Sequence, residues 1–300
     1  MYDGRAYYPV RCPGGPGSTC STPAGTMGAK PVAMASAPTG SGYRILRADG
    51  EVIGLNATVC PYASGTTRPA APMVAMADAN GNGYWMAGAD GGVFSACGAG
   101  FYGSAEPGHP SAPIVAAATP DGGGYWLLGK DGGIFSFGDA GYYGRAYVLS
   151  CPGGGGSNTS ASCPAQVRPR PDREVSGTPV GIASAPDGRG YWITTSMGDV
   201  AAFGDAQAEG AAGPDNLRLA APIVGITAVP TPPLCGPPSS PAGTQPTSPA
   251  PPPQGYWVIG SDGGVFRYGD AQFHGSAAGE HLAAPIVGSA TMPPTSACPV

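Results

Sequence analysis

The chain has 300 residues, among them 52 glycines and 36 prolines, a composition that reads as disorder unless a period organises it. Charged residues make up only 11%, the net charge is −5 and Lys30 and Lys130 are the two lysines, so no basic cluster exists to hold nucleic acid or an anionic membrane surface. No stretch approaches the roughly 20 apolar residues needed to span a bilayer, and Tyr2 onward already reads as repeat sequence rather than as a signal peptide.

In chain order the first element is a piece of a unit. Tyr2-Asp3-Gly4-Arg5-Ala6-Tyr7 aligns with Tyr142 to Tyr147, and Cys12-Pro13-Gly14-Gly15 aligns with Cys151 to Gly154. A Gly/Pro-rich loop insert over 9–30 leads into five full units. Each opens with a proline before a β-branched strand: Pro31-Val32, Pro72-Met73-Val74, Pro113-Ile114-Val115, Pro179-Val180 and Pro222-Ile223-Val224, with a sixth opening at Pro285-Ile286-Val287. These prolines lie 41, 41, 66, 43 and 63 positions apart, so the unit is about 41 residues and two copies carry loop inserts, over 150–175 and 231–254.

Within a unit the second element is a strand at Gly-Tyr-Trp: Gly83-Tyr84-Trp85, Gly124-Tyr125-Trp126, Gly190-Tyr191-Trp192 and Gly255-Tyr256-Trp257, with Gly42-Tyr43-Arg44 as the weaker copy. An Asp-Gly-Gly turn (Asp90, Asp131 and Asp262, with Asp49-Gly50 and Met197-Gly198-Asp199 as variants) leads into a third strand such as Ile134 to Gly138. Glycine accepts the positive φ that hairpin turns require. Gly-Asp-Ala follows at Asp139, Asp205 and Asp270, and then an aromatic step: Phe101-Tyr102-Gly103-Ser104, Tyr142-Tyr143-Gly144-Arg145 and Phe273-His274-Gly275-Ser276, with Cys60 to Tyr62 as a degraded copy. The step predicts a short fourth strand. Strands this short between glycine turns leave no room for ordinary helices.

The Tyr-Trp strands are apolar without alternation, as in Tyr125-Trp126-Leu127-Leu128, which predicts cover on both faces. Blades stacked around an axis supply that cover, and the period fits a blade. The fold expected is therefore all-β: one β-propeller domain over 1–300, of three- to four-stranded blades, with five full repeats and two partial ones. A hairpin solenoid is the alternative. Because the chain opens and closes inside a unit, two readings of its ends arise. Either the two ends form one composite blade, or the chain is a piece of a longer protein, which the absent sixth Gly-Tyr-Trp hairpin favours.

The pattern GYW-x4-DGG-[VI]-F-x-[FY]-GDA-x-[FY]-x-G-S resembles the propeller-like repeats of exported proteins from high-GC Gram-positive bacteria, over nearly the whole chain. The resemblance implies architecture and an association with hydrolase or cell-wall domains, and little function of its own. Arg44 in place of Trp and Ala201 in place of Phe depart from it.

Candidate sites follow from comparing copies. The Asp-Gly-Gly and Gly-Asp-Ala aspartates offer one carboxylate per copy, whereas a calcium loop needs several oxygens close together, so they are expected to cap turns. The position after the first aromatic of the step varies while its frame persists, which makes Tyr102, Tyr143, Glu209 and His274 the candidate ligand-binding residues. His109, His274 and His281 have no recognisable catalytic frame; no catalytic residue, metal site or cofactor is expected. The eight cysteines contain no CxxC pair. The expected disulfides are Cys12 with Cys20, Cys151 with Cys163, Cys60 with Cys97 and either Cys235 with Cys298 or Cys298 with a partner beyond Val300, in an exported, oxidising setting. The reading is an exported, non-catalytic binding or scaffolding module at the cell surface, its partner a cell-envelope glycan or a surface protein. The alternatives are a propeller hydrolase or lyase with a central-channel site, in which Asp139, Asp205, Asp270 and the histidines would converge on the axis, and a spacer to a catalytic domain.

Overall fold

The structure, a computed structural model, describes residues 29–37, 42–60, 69–79, 81, 83–148, 173–213, 219–230 and 254–291. Each full unit folds into a three-stranded antiparallel sheet with its strands in chain order. The first is β1 (Pro31–Ser36), β2 (Tyr43–Arg47) and β3 (Val52–Leu55), the second β4 (Met73–Asp78), β5 (Tyr84–Gly88) and β6 (Val93–Ala96). The third is β7 (Ile114–Ala118), β8 (Gly124–Gly129) and β9 (Ile134–Gly138). A parallel pair, β10 (Ala146–Val148) with β11 (Arg173–Val175), precedes the fourth sheet, β12 (Pro179–Ser184), β13 (Gly190–Thr195) and β14 (Val200–Gly204). The fifth is β15 (Ile223–Ala228), β16 (Gly255–Gly260) and β17 (Val265–Gly269). One turn of 3-10 helix, Glu106–Gly108, is the helical element among the described residues.

These sheets are blades of a β-propeller. The first strands are successive neighbours, β1 beside β4, β4 beside β7, β7 beside β12 and β12 beside β15, and together they line one axial cavity. Hairpins stacked in a line would not bring five first strands around one space, so the solenoid is excluded. The sixth position is taken by the residues after Pro285. The Ile286 N–H donates to Ser261 O at 2.9 Å, just as Met73, Ile114 and Ile223 donate to Ala48, Ala89 and Ser196 of the blade before. A methyl placed on Gly288 would lie 3.9 Å from Ala33 Cα, so this segment meets β1 and closes the ring.

The core is a set of blade boundaries. Four buried clusters lie between blades one and two (Leu46, Met73, Tyr84), two and three (Trp85, Ile114, Tyr125), three and four (Trp126, Ile182, Tyr191), and four and five (Trp192, Ile223, Tyr256). The middle hairpin strands β5, β8 and β13 are buried throughout, as their unbroken apolar runs predict. In β2 burial alternates, with Arg44 and Leu46 buried against blade two. Trp257 is only half-buried, because no tyrosine of a following blade packs on it among the described residues.

One hydrogen-bond pattern holds each boundary. The indole N–H donates to a carbonyl of its own blade's step, Trp85 to Gly100, Trp126 to Gly141, Trp192 to Gln207 and Trp257 to Gln272, each at 2.7 Å. The tyrosine hydroxyl donates to the step of the preceding blade: Tyr84 to Cys60 O at 3.0 Å, Tyr125 to Gly103 O at 2.6 Å, Tyr191 to Gly144 O and Tyr256 to Gly210 O. Burial pushes all four hydroxyls above the usual phenol range, which keeps them protonated as donors.

The aromatic steps do not form the expected fourth strand. Gly103, Gly144, Gly210 and Gly275 take φ of 135°, 128°, 131° and 122°, which breaks an extended run, and the step carbonyls are spent on Trp and Tyr rather than on a ladder. The insert over 150–175 is also not wholly loop, since its last three residues form β11, with Arg173 Nε donating to Ala202 O at 2.8 Å.

Candidate functional site

Every first strand carries the same irregularity. The register shifts between its first and third residues, so Val32, Val74, Val115, Val180 and Val224 are the extra residues of five equivalent β-bulges. With Val287 they belt an inner cavity of about 100 Å3 on the axis. Bulges re-aim side chains at rims and sites, and here they give the channel an apolar waist.

Beyond this waist, at the C-terminal ends of the first strands, the axis opens into a cavity of about 300 Å3. Its inner wall is the fourth residue of each first strand, Met34, Met76, Ala117, Ile182 and Ile226, with Ser289 of the segment after Pro285. Its rim carries Ser36, Asp78, Ser184, Thr227 and Thr291. Asp78 is the one carboxylate lining it among the described residues.

Asp78 is bound up with the chain's main departure from its repeat. Arg44 stands where four other units have Trp, and its side chain is fully buried. Its Nε donates to Thr58 O at 2.8 Å, taking over the indole's bond, and its guanidinium lies 4.7 Å over the Tyr84 ring, where Trp126 would meet Tyr191. A guanidinium has donors to spare, and Nη1 reaches Asp78 Oδ1 at 3.2 Å across the blade boundary. Ser36 Oγ donates to Asp78 Oδ2 at 3.0 Å. Burial raises the carboxyl to about 6, against the lowering by Ser36 and Arg44.

The structure puts the four expected ligand residues at separate blade boundaries, and none lines the axial cavity. Each of the first three lies over the glycine that ends the next blade's third strand. A methyl on Gly138 would come within 3.0 Å of Tyr102, one on Gly204 within 2.9 Å of Tyr143 and one on Gly269 within 2.8 Å of Glu209. Tyr143 also packs against Trp126 and Tyr191, and His274 lies 6.2 Å from the Trp257 ring. The glycine position has φ of 69°, 66° and 60° in these blades, and Asn56 and Cys97 hold it at 52° in the first two.

The repeated aspartates serve turns. Asp49, Asp90, Asp131 and Asp262 accept the backbone N–H two residues on, at 2.9 to 3.1 Å. For Asp131, burial is outweighed by the Ser111 hydroxyl at 2.6 Å and the Gly133 N–H, and its carboxyl falls below the usual range. Asp139, Asp205 and Asp270 are exposed at the ends of the third strands, outside the axial cavity, as are His109 and His281. These acids do not converge on the axis.

Cys60 and Cys97 form a disulfide between blades one and two, with their Cα atoms 5.1 Å apart. It falls at the boundary where Cys97 replaces the glycine and Cys60 O accepts from Tyr84. Cys12, Cys20, Cys151, Cys163, Cys235 and Cys298 lie outside the described residues.

Sequence reasoning passed over one set of side chains. The first aromatic of the step is exposed wherever it occurs among the described residues, Phe101 at 61%, Tyr142 at 54% and Phe273 at 55%. Their neighbours explain it: the carbonyl before each ring is drawn inward by the Trp of its own blade, and for Phe101 and Tyr142 the carbonyl of the glycine two residues on is drawn in by Tyr125 or Tyr191, which leaves the ring turned out.

No family model matches the chain, and no curated protein matches it. Among solved structures it is similar to the Cps50 (Swd1) β-propeller domain of Myceliophteria thermophila, at 10% identity over 77% of this chain and 63% of that one, TM-score 0.39. YCF48 bound to D1 peptide is similar at 12% identity over 80% and 63%, TM-score 0.39. Hydrazine synthase of Kuenenia stuttgartiensis is similar at 14% identity over 87% and 72%, TM-score 0.36. The chain spans 63% of the length of the first two. The propeller assignment itself stands on the ring geometry above.

Proposed function

We propose that this chain is an exported binding or scaffold module of the cell envelope that engages a surface protein through its turned-out step aromatics. The observation that carries this is the recurrence of an exposed ring at one repeat position, Phe101, Tyr142 and Phe273. Trp and Tyr hold step carbonyls, turn aspartates hold backbone N–H groups, and the valines close the axis. Aromatic rings are enriched in protein interfaces. The Cys60–Cys97 disulfide supports an oxidising compartment. A hydrolase or lyase working in the channel would need partnered acid and base groups there, and Asp78 is already held by Arg44 and Ser36.

The test is retention on isolated cell envelopes. Changing Phe101, Tyr142 and Phe273 together to Ala should leave thermal stability nearly unchanged, since exposed substitutions act within about 0.5 kcal/mol each, and should abolish retention. Protease treatment of the envelopes should abolish it too. Retention lost to glycan digestion but not to protease would turn the reading to a cell-envelope glycan, and full retention of the triple variant would overturn it.

A further inference from the structure

We propose that the axial mouth is a binding site for a small, donor-rich ligand of the monosaccharide class, oriented by Asp78. This site is distinct from the outer aromatic rings, and three observations point to it.

The first is the shape. About 300 Å3 between an apolar waist and a polar rim sits at the lower end of the roughly 300–1,000 Å3 of small-molecule sites. It has room for one sugar ring, and Met34, Met76, Ile182 and Ile226 supply a floor for its apolar face.

The second is the hydrogen-bond inventory. Ser36 Oγ spends its proton on Asp78, and Ser184 Oγ spends its own on Ala185 O. Thr227 and Ser289 share a hydroxyl bond, so one of their two protons is spent as well. A hydroxyl whose proton is engaged still offers acceptor lone pairs, and each carboxylate oxygen accepts more than one bond. Among the described residues the rim therefore offers acceptors at Asp78, Ser36 and Ser184, beside the hydroxyls of Thr227, Ser289 and Thr291. It fits a ligand that brings donors, and disfavours an anion.

The third is the broken symmetry. The sixth position from the start of the first strand runs Ser36, Asp78, Thr119 (one residue past the end of β7), Ser184 and Ala228, so one unit places a charge at the mouth. In the blade before it Trp is exchanged for Arg44, which keeps both structural contacts of the indole and adds a bond to that charge. The Trp192 boundary packs without any such pair, against Ala228 and Tyr256. Packing alone does not call for the exchange, whereas a fixed carboxylate at the mouth does.

The experiment follows the methyl signals of Met34 and Met76 in the full chain, labelled at methionine, during titration with glucose, N-acetylglucosamine and, as an acceptor-only control, sulfate. A saturable shift is expected with a sugar and none with sulfate. Asp78→Asn should weaken the sugar by about tenfold or more, the scale of a bond to a charged group. The double variant Arg44→Trp with Asp78→Ala recreates the Trp192 and Ala228 boundary; it should fold with an unchanged melting temperature and lose the shift. Should the double variant not fold, Asp78→Asn decides alone. No saturable shift with either sugar, or equal affinity in the variants, would overturn the proposal.

Discussion

Trp126 fills the boundary between blades three and four, donates to Gly141 O and meets the Tyr191 ring at 5.2 Å. Trp126→Ala removes all three, and should cost roughly 3–5 kcal/mol in denaturant unfolding. Trp257→Ala should cost clearly less, because Trp257 is half-exposed; equal losses would mean that burial is not what ranks these residues. Gly138→Ala puts a methyl at φ 69° against Tyr102 and the Gly124 backbone, which should cost about 1–2 kcal/mol or more. Asp78 gives a pH signature. Its native carboxyl titrates at about 6 against an ordinary 3.8, so the native state binds the proton more tightly than the unfolded chain. Stability from this group is full below about pH 4 and is lost as pH rises through about 6. Melting temperatures of wild type relative to Asp78→Asn should fall across that window and be flat on either side; a difference that rises with pH would show the carboxyl to be depressed instead. The Arg44 departure was visible in the sequence. Its partner lies 34 residues away at a strand end, and its meaning appears only when two first strands meet on the axis.

Hairpins and turns were legible because their causes are local. Asp-Gly-Gly places a side-chain acceptor and a positive-φ glycine where a tight turn needs them, and the turns at Asp90, Asp131 and Asp262 formed as read. The five first-strand bulges were not legible, since a valine near the start of a strand looks alike in and out of register. The fourth strand failed because its carbonyls bond to Tyr and Trp of two blades, a tertiary demand that outweighs aromatic β-propensity. The Cys60–Cys97 link belongs to this scale, joining the outer parts of blades one and two across 37 residues. Replacing both cysteines with Ser should lower stability by about 3–4 kcal/mol in the chain-entropy picture. Guanidinium unfolding checks this, and an unchanged midpoint would mean that the boundary does not open in the unfolding transition.

At the scale of the molecule, the ring is a relay of main-chain bonds. Ala48 donates to Lys30 O and accepts from Met73, and Ala89 donates to Pro72 O and accepts from Ile114; Ser196 and Ser261 repeat this toward Ile223 and Ile286. Lys130 donates to Pro113 O, but Pro179 has no N–H to return, so the relay is interrupted between blades three and four, where the long insert lies. The five full repeats were legible from the restart prolines, the number of blades was not, and neither was the axial site, because five strand ends and the segment after Pro285, far apart in the chain, build it together. Closure rests on the segment after Pro285 meeting β1. A cross-link tests it most directly: Ala33→Cys with Gly288→Cys, oxidised in the folded state and mapped by mass spectrometry of non-reduced peptides. The ring predicts a disulfide between positions 33 and 288 in the monomer, whereas free thiols at both positions in a folded, unaggregated sample would contradict it.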